Sequence, residues 1–255
     1  FDSSGRLAHL NRSGTLRDVP PELMQVLKRS RQLGEMSDGA FDITVLPLLE
    51  SYQASLEQKG QPPAPEEIEQ VRELTGWRRI ELGSGSVRLQ SGTRITLDGI
   101  AKGYVVDAAA RAIRRAGAEC ALINAGGDVR AVGNKDGSPW TVAIRDPQSR
   151  REIYQKVRLS DMAIATSGRY ENFFDSSMRH SHLLSGESGF TPSRSLSVSV
   201  LAPSAMLADG LSTTFFISGP EKGLQLCRKL KSVETLILAS GNRPFSSSGW
   251  SSLNG

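Results

Sequence analysis

The sequence predicts an α+β fold with antiparallel-rich mixed sheets and flanking helices. Apolar and polar residues alternate over residues 80–89 across a Gly-Ser turn, which is typical of a β-hairpin. Further strand-like segments follow one another after residue 139. Other segments carry apolar residues at i, i+3 and i+4, the spacing of amphipathic helices. These patterns together predict helices packed on sheets of mostly antiparallel strands.

The elements can be assigned in chain order. Helices are predicted from Pro20 and Pro21 onward, over 65–75, in the segment before Gly117, and over 203–216. Strands are predicted over 80–89 as a hairpin and over 95–97, 120–123, 140–145, 153–159, 162–165 and 195–201. Residues 1–18 are polar and turn-rich, and 58–65 form a polar connection. We interpret 1–255 as a single domain with a soft subdivision near residue 90.

Composition narrows the classes of function. A chain of 255 residues can bury a real core as one large domain or two intimate subdomains. The net charge of +4 is dispersed, which weakly favours an anionic ligand, and no aromatic-basic motif points to nucleic acid. No run of about 18 apolar residues predicts a transmembrane segment. Cys120 and Cys227 lie in apolar patterns, so buried thiols are favoured, with a disulfide left open. The chain starts at Phe1 without a signal sequence and does not report its compartment.

The central stretch, residues 95–128, predicts a site for a phosphate-bearing ligand. It reads as a half-buried strand, a turn around Lys102 with flanking glycines, an amphipathic helix, an interior strand, and a second glycine turn ending at Asp128. Two turns of small residues are thus expected at the ends of neighbouring elements. Such turns let backbone N–H groups approach a phosphate closely.

Three other features allow either a structural or a functional interpretation. Asp209 and Thr213 are spaced i and i+4, so their hard oxygens could hold one magnesium ion, although this pair is also common by chance. The loop 37–45 is favoured as an anchored loop; alternatively, its backbone lines a flat heteroaromatic ligand that donates hydrogen bonds to Asp42. His180 and His182 would point to opposite faces of a strand, and an ordinary hydrogen-bonded histidine is favoured over a catalyst.

Seven stretches, taken together and in order, resemble the ApbE family of flavin transferases, which move FMN from FAD onto a protein threonine or serine. The stretches cover nearly the whole chain. They are DGAFDITVLPLL (38–49), GIAKGYVVD (99–107), INAGGDVRAVG (123–133), PWTVAIRDP (139–147), AIATSGRYE (163–171), SH (181–182) and ADGLSTTFFISG (208–219).

The resemblance implies a site residue by residue. Contacts to the flavin nucleotide are implied for Ala40, Phe41 and Asp42, and a contact to the FAD phosphates for Lys102. Thr96 stands where the family usually has an aspartate, and Asp98 is expected to substitute for it. The magnesium ligands implied are the carbonyl oxygen of Gly99 and the side chains of Asp209 and Thr213, with Ser212 as a further candidate. His182 is implied as the base that helps the acceptor hydroxyl attack.

The same resemblance implies a function and a fold with two subdomains around a flavin cleft. The expected activity is a Mg²⁺-dependent transfer of FMN from FAD to a Thr/Ser hydroxyl of an acceptor flavoprotein subunit of an electron-transfer complex, with release of AMP. An FAD-binding accessory protein and an FAD pyrophosphatase are the alternatives. The expected location is the periplasm or the outer face of the bacterial inner membrane, with room for an N-terminal lipid anchor in the precursor. Two departures keep the accessory role open: SGESG at 185–189 replaces a DPRTG-like run, and the family's leading Met-Gly-Thr strand is absent.

Overall fold

A computed structural model of the protein describes residues 5–149, 151–169, 183–192, 195–239, 241 and 243–253. The chain divides into two compact units. Unit 1 comprises Phe1–Leu97 with Asn172–Pro192, and unit 2 comprises Asp98–Glu171 with Ser193–Gly255. The chain therefore leaves unit 1 at Leu97 and returns to it once before finishing in unit 2.

In the described residues of unit 1, four helices combine with a small antiparallel sheet. The helices are α1 (Arg6–Ser13), α2 (Pro21–Met36), α3 (Leu46–Lys59) and α4 (Pro65–Arg72), and short 3-10 turns lie at Ile43–Val45 and Trp77–Arg79. The strands β1 (Thr15–Arg17), β2 (Ile80–Leu82) and β3 (Ser86–Leu89) pair in the order β1-β3-β2. Proline at the first position of α2 presets its φ angle and has no N–H to leave unpaired. One core cluster of this unit joins Leu48, Tyr52, Ile68 and Leu184.

Unit 2 is built on a six-stranded antiparallel sheet. Its elements are α5 (Ala101–Arg115), β4 (Ala121–Ala125), β5 (Asp128–Val132), β6 (Trp140–Arg145), β7 (Ile153–Leu159), β8 (Ala163–Gly168), β9 (Ser195–Ala202), α6 (Ala205–Cys227), β10 (Glu234–Ala239) and β11 (Arg243–Ser246), followed by a 3-10 turn at Trp250–Leu253. The large sheet has the order β11-β10-β9-β8-β5-β4, and β6 pairs only with β7.

Two layers cover this sheet. The β6–β7 hairpin contributes Ile144 and Val157 to a core that includes Ile164 of β8. Helices α5 and α6 pack on the sheet as well, and Ser167 of β8 hydrogen-bonds to α6. Because side chains alternate along a strand, Ile164 and Ser167 point to opposite faces. The hairpin and the helix pair therefore lie on opposite sides of the sheet.

The predicted α+β class with antiparallel strands is confirmed, while several local assignments are wrong. Residues 95–97 are not a half-buried strand; Ile95, Thr96 and Leu97 are all buried, and their backbone bonds to Asn11 and Ile43 instead of a ladder. The segment 1–18, predicted to be polar and turn-rich, contains the helix α1, which buries Leu10 in the core. Helix α4 ends at Arg72, three residues before the predicted end.

The central stretch also differs from its prediction at two points. The turn expected around Lys102 is the first turn of α5, which begins at Ala101. The strand expected in the interior is β4, at the edge of the large sheet, with Leu122 exposed. Cys120, just before β4, is exposed and Cys227 is buried, and both are free thiols. A short apolar run does not distinguish an edge strand from an interior one. Among the described residues, no helix is both long and apolar enough to cross a membrane.

Candidate phosphate and metal site

Helices α5 and α6 meet at their N-terminal ends with almost no space between them. A Cβ atom on Gly103 would lie 2.3 Å from the carbonyl oxygen of Ala205, so only glycine fits there. One turn further along α5, the carboxylate of Asp107 accepts hydrogen bonds from the backbone N–H groups of Ala205 (2.9 Å) and Met206 (3.0 Å). These N–H groups begin α6 and have no partner within the helix. The contact therefore fixes the start of α6 against α5.

This helix contact sets the position of Asp209. The N–H of Gly103 donates to Asp209 Oδ2 at 2.9 Å, and the side chain of Asp209 is buried. The sequence interpretation expected the segment around Gly99 and the helix of Asp209 to converge. The hydrogen bond from Gly103 joins those two segments directly, with Gly99 one turn before Gly103.

A second carboxylate reaches the same place from the sheet. Asp128 begins β5, after a turn in which Gly126 and Gly127 adopt positive φ angles of 57° and 96°. Its Oδ1 atom accepts a hydrogen bond from Lys102 Nζ at 2.9 Å, and Lys102 Nζ also lies 3.4 Å from the carbonyl oxygen of Gly126. The side chain of Asp128 is 1% exposed and that of Lys102 is 36% exposed. The turn predicted to approach a phosphate thus lies beside Lys102.

The two carboxyl groups strongly affect each other. Burial, and then the negative charge of Asp128, raise the pKa of Asp209 well above its ordinary value; the N–H of Gly103 and the charge of Lys102 act against this shift. Burial also raises the pKa of Asp128, opposed by Lys102. Asp128 Oδ2 is buried, and the described residues offer it no donor. The two carboxyl groups can hydrogen-bond to each other only when one of them carries a proton.

Hydroxyl groups complete the polar surroundings. Ser167 Oγ lies 2.7 Å from Ser212 Oγ and 3.3 Å from Thr213 Oγ1. Ser212 donates to the backbone carbonyl oxygen of Asp209 at 2.9 Å and is buried. Its hydroxyl is thus committed to β8 and to its own helix, whereas Thr213 is only partly buried. Of the two hydroxyl groups predicted as metal ligands, Thr213 is the more available.

The donor set fits a hard divalent cation. The candidate donors are the carboxylates of Asp128 and Asp209, the hydroxyl of Thr213, and the carbonyl oxygen of Gly99. Oxygen ligands of this kind suit Mg²⁺, which commonly keeps waters and ligand phosphates in its shell. Within the described ranges, no three His, Cys, Asp or Glu side chains come together, so a zinc-type cluster is not seen there. The buried Oδ2 atom of Asp128 is the observation that favours a cation, because in the described residues its compensation is otherwise limited to a proton shared with Asp209.

The predicted flavin loop lies in unit 1 and is firmly anchored. Phe41 is 2% exposed, and its N–H donates to Ser37 Oγ. Asp42 Oδ1 accepts from the N–H of Thr44 at 2.8 Å and from its hydroxyl at 2.6 Å. Burial raises the pKa of Asp42, and these hydrogen bonds act against the rise. Phe41 and Asp42 therefore anchor the loop, which is the interpretation that its composition favoured. A ligand could reach the partly buried backbone near Ala40.

The remaining predicted residues lie either directly before α5 or outside the described residues. Asp98 is exposed and Gly99 partly buried, directly before α5. His182, the predicted base, and His180 lie outside the described residues, so the base stays a prediction. Asp128 and Ser167 were not assigned to a site from sequence. Their signals were a carboxylate directly after two glycines and a hydroxyl inside the AIATSGRYE stretch.

Comparisons with known proteins agree on one family. A sequence model described as the ApbE family matches residues 1–237. The chain is 33% identical over 212 residues to the FAD:protein FMN transferase of Vibrio cholerae, covering 81% of this chain and 64% of the relative. It is 30% identical over 241 residues to the FAD:protein FMN transferase of Escherichia coli K12, covering 90% and 69%. The chain thus spans about two thirds of the length of these relatives.

Solved structures give the same result. The ApbE protein of Thermotoga maritima matches with a TM-score of 0.92 and 28% identity, covering 100% of this chain and 85% of that chain. The flavin transferase ApbE of Vibrio cholerae matches with a TM-score of 0.87 and 27% identity, covering 99% and 84%. The apo form of the Pseudomonas stutzeri flavinyl transferase ApbE matches with a TM-score of 0.85 and 30% identity, covering 99% and 82%.

Proposed function

The chain belongs to the ApbE family, and from this premise we propose that it transfers FMN from FAD to a threonine or serine hydroxyl of an acceptor flavoprotein, with release of AMP. The observation that carries the proposal is the contact of the partly exposed Lys102 with the buried Asp128, beside the buried Asp209, at the N-terminus of α5. A lysine, a helix N-terminus and paired carboxylates are the groups that bind a metal-bound pyrophosphate.

The chain supplies three functions for phosphoryl transfer. Lys102, in the first turn of α5 and 36% exposed, can reach a phosphate while its stem stays beside Gly126. The N-terminal N–H groups of α5 add a partial positive charge. His182 is proposed to take the proton from the acceptor hydroxyl as its oxygen attacks the phosphorus of the FMN half, and the bond from that phosphorus to the AMP oxygen breaks.

The metal requirement is part of the proposal. Asp209, Thr213 and the carbonyl oxygen of Gly99 would hold Mg²⁺, with Ser212 helping to position Asp209 through its backbone carbonyl. Bound there, the ion would neutralise charge on the pyrophosphate and stabilise AMP as a leaving group. Ala40, Phe41, Asp42 and Asp98 are proposed to contact the flavin nucleotide, on the family resemblance of their motifs.

The experiment measures two products separately: the flavin attached to the acceptor protein and the released AMP. The protein is incubated with FAD, MgCl₂ and an acceptor domain with a Ser/Thr flavinylation motif; a variant with that hydroxyl residue replaced by alanine is the control. In-gel flavin fluorescence on the intact acceptor, with one AMP per label, is the expected result. Free FMN and AMP without labelling would identify an FAD pyrophosphatase instead. FAD binding with neither product would identify an accessory protein.

We further propose that the acceptor is a flavoprotein subunit of an electron-transfer complex, and that the reaction takes place in the periplasm or on the outer face of the inner membrane. Both proposals rest on the family resemblance of the sequence. Fractionation of cells that express the full-length precursor, with cytoplasmic and periplasmic marker enzymes measured in parallel, tests the location. Recovery with the cytoplasmic marker would contradict it.

A further inference from the structure

We propose that Asp128 is a second carboxylate ligand of the divalent cation, acting through Oδ2, and that the cation binds unit 2 before any nucleotide is present. This inference deepens the proposed function, on whose metal requirement it rests. It adds a residue from the sheet to a candidate ligand set that otherwise comes from α6 and the segment before α5.

The first argument is the bonding of the Asp128 side chain. Only 1% of the side chain is exposed, so water does not solvate its oxygens. Oδ1 accepts from Lys102 Nζ, whereas Oδ2 has no donor among the described residues. Buried polar atoms in proteins nearly always have a partner, and a carboxylate oxygen without an N–H or hydroxyl donor is satisfied by a cation or by a proton shared with a neighbouring carboxyl group, here Asp209.

The second argument is the position of Asp209. Its carboxyl group lies within hydrogen-bonding reach of the Asp128 carboxyl group, and its Oδ2 is held by the N–H of Gly103. Two carboxyl groups this close can share one ion between them. The hydroxyl of Thr213 is one turn along α6 from Asp209 and on the same helix face. Asp128 and Asp209 therefore offer a chelating pair rather than two separate ligands.

The third argument is the balance of charge. The charged groups that act on this pair in the described residues are the two carboxylates and Lys102, so the metal-free site carries one net negative charge, or none when the two carboxyl groups share a proton. A divalent cation would change this to one net positive charge. Since a pyrophosphate carries negative charge, the site is expected to attract nucleotide only after the cation has bound. Metal binding should therefore precede FAD binding.

The alternative is that Asp128 only positions Lys102. Asp128→Asn distinguishes the two roles, because the amide oxygen can still accept from Lys102 but carries no charge. Asp161→Asn is the matched control: Asp161 is also in unit 2, also pairs with a basic residue, Arg114, and is half exposed. Asparagine tolerates its positive φ of 53° well.

The measurement is Mn²⁺ binding to the nucleotide-free protein, followed by the EPR signal of free Mn²⁺. Asp128→Asn and Asp209→Asn are each expected to weaken binding by roughly 10-fold or more, and Asp161→Asn to leave it unchanged. Mg²⁺ should raise the Tm of the unmodified protein, and at the same Mg²⁺ concentration this rise should be smaller in Asp128→Asn. Unchanged Mn²⁺ affinity in a folded Asp128→Asn protein would overturn the inference.

A second variant keeps the test decisive if Asp128→Asn does not fold. The double variant Lys102→Gln, Asp128→Asn removes both partners of the Lys102–Asp128 ion pair, so neither charge of that pair is left without its partner. If Asp128 is a ligand, this double variant should bind Mn²⁺ roughly 10-fold more weakly than Lys102→Gln alone; equal binding by the two variants would count against Asp128. The flavin transfer assay separates this inference from the proposed function. Tight Mn²⁺ binding that depends on Asp128 supports the inference even if no acceptor is labelled, an outcome that would overturn only the function.

Discussion

Replacing Gly103 by alanine should destabilise unit 2 although alanine favours helices. The new Cβ would lie 2.3 Å from the Ala205 carbonyl oxygen and 2.7 Å from the Cα of Met206, both backbone atoms that cannot rotate away. Ordinary contact begins at 3.4 Å, so α5 and α6 must separate by about 1.1 Å, the difference between 3.4 and 2.3 Å. The hydrogen bond from Gly103 to Asp209 would then lengthen beyond normal geometry.

Three effects set the magnitude. Overpacking of this kind costs about 1–3 kcal/mol. Loss of a buried hydrogen bond to a carboxylate adds about 1.5–3 kcal/mol, although a proton shared with Asp128 would weaken this contribution. The helix propensity of alanine over glycine returns about 1 kcal/mol. The net prediction is a decrease of about 1.5–5 kcal/mol in the free energy of unfolding.

Urea unfolding followed by circular dichroism measures this decrease, with Ala112→Gly as the matched control. Ala112 is an exposed position on the same helix, so its replacement reports the propensity difference alone, about 1 kcal/mol. A Gly103→Ala protein as stable as the unmodified protein, or more stable, would show that the two helices do not meet as described. The reasoning about the position of Asp209 would then also be wrong.

Three further predictions concern charge and catalysis. Burial and Asp128 raise the pKa of Asp209 in the folded protein above 3.8, so the folded metal-free protein binds more protons than the unfolded chain and should lose stability as pH rises above about 4. Asp209→Asn should reduce this dependence of the free energy of unfolding on pH, measured by urea titrations with EDTA at several pH values; an unchanged dependence would contradict the prediction. Lys102→Gln should weaken FAD binding with Mg²⁺ present by roughly 10-fold, measured by calorimetry; wild-type affinity would argue against a phosphate contact. His182→Ala should keep FAD affinity but lose roughly 100-fold or more in transfer rate in stopped assays, and full activity would eliminate the base.

Sequence reasoning worked best where local periodicity and tertiary environment agree. The predicted strands 140–145 and 153–159 coincide with β6 and β7, whose hairpin alternates between a packed and an exposed face. It failed at 95–97, where all three side chains are buried and no ladder forms. It also failed at β4, because neighbours in the sheet, rather than the strand's own residues, decide which strand lies at the edge.

In the candidate site, too, local spacing could be predicted from the sequence, whereas contacts between distant segments could not. The spacing of Asp209 and Thr213 is local to one helix, so sequence alone could place them on one face. The role that we propose for Asp128 could not be predicted in this way. Its approach to Asp209 depends on how β5 packs against α5 and α6, and the lack of an N–H or hydroxyl donor to its Oδ2 atom among the described residues follows from how these elements are arranged in three dimensions.

The contact between α5 and α6 brings together two motifs that are far apart in the sequence. Gly103 and Asp209 are 106 positions apart, yet one hydrogen bond joins them. Asp107 fixes the first N–H groups of α6, and Gly103 permits the close approach that brings Asp209 to the first turn of α5. Gly103 and Asp107 are therefore expected to matter without touching a ligand, because both determine where Asp209, the proposed metal ligand, lies. A double substitution at Gly103 and Asp107 should therefore weaken metal binding even though Asp128, Asp209 and Thr213 are all retained.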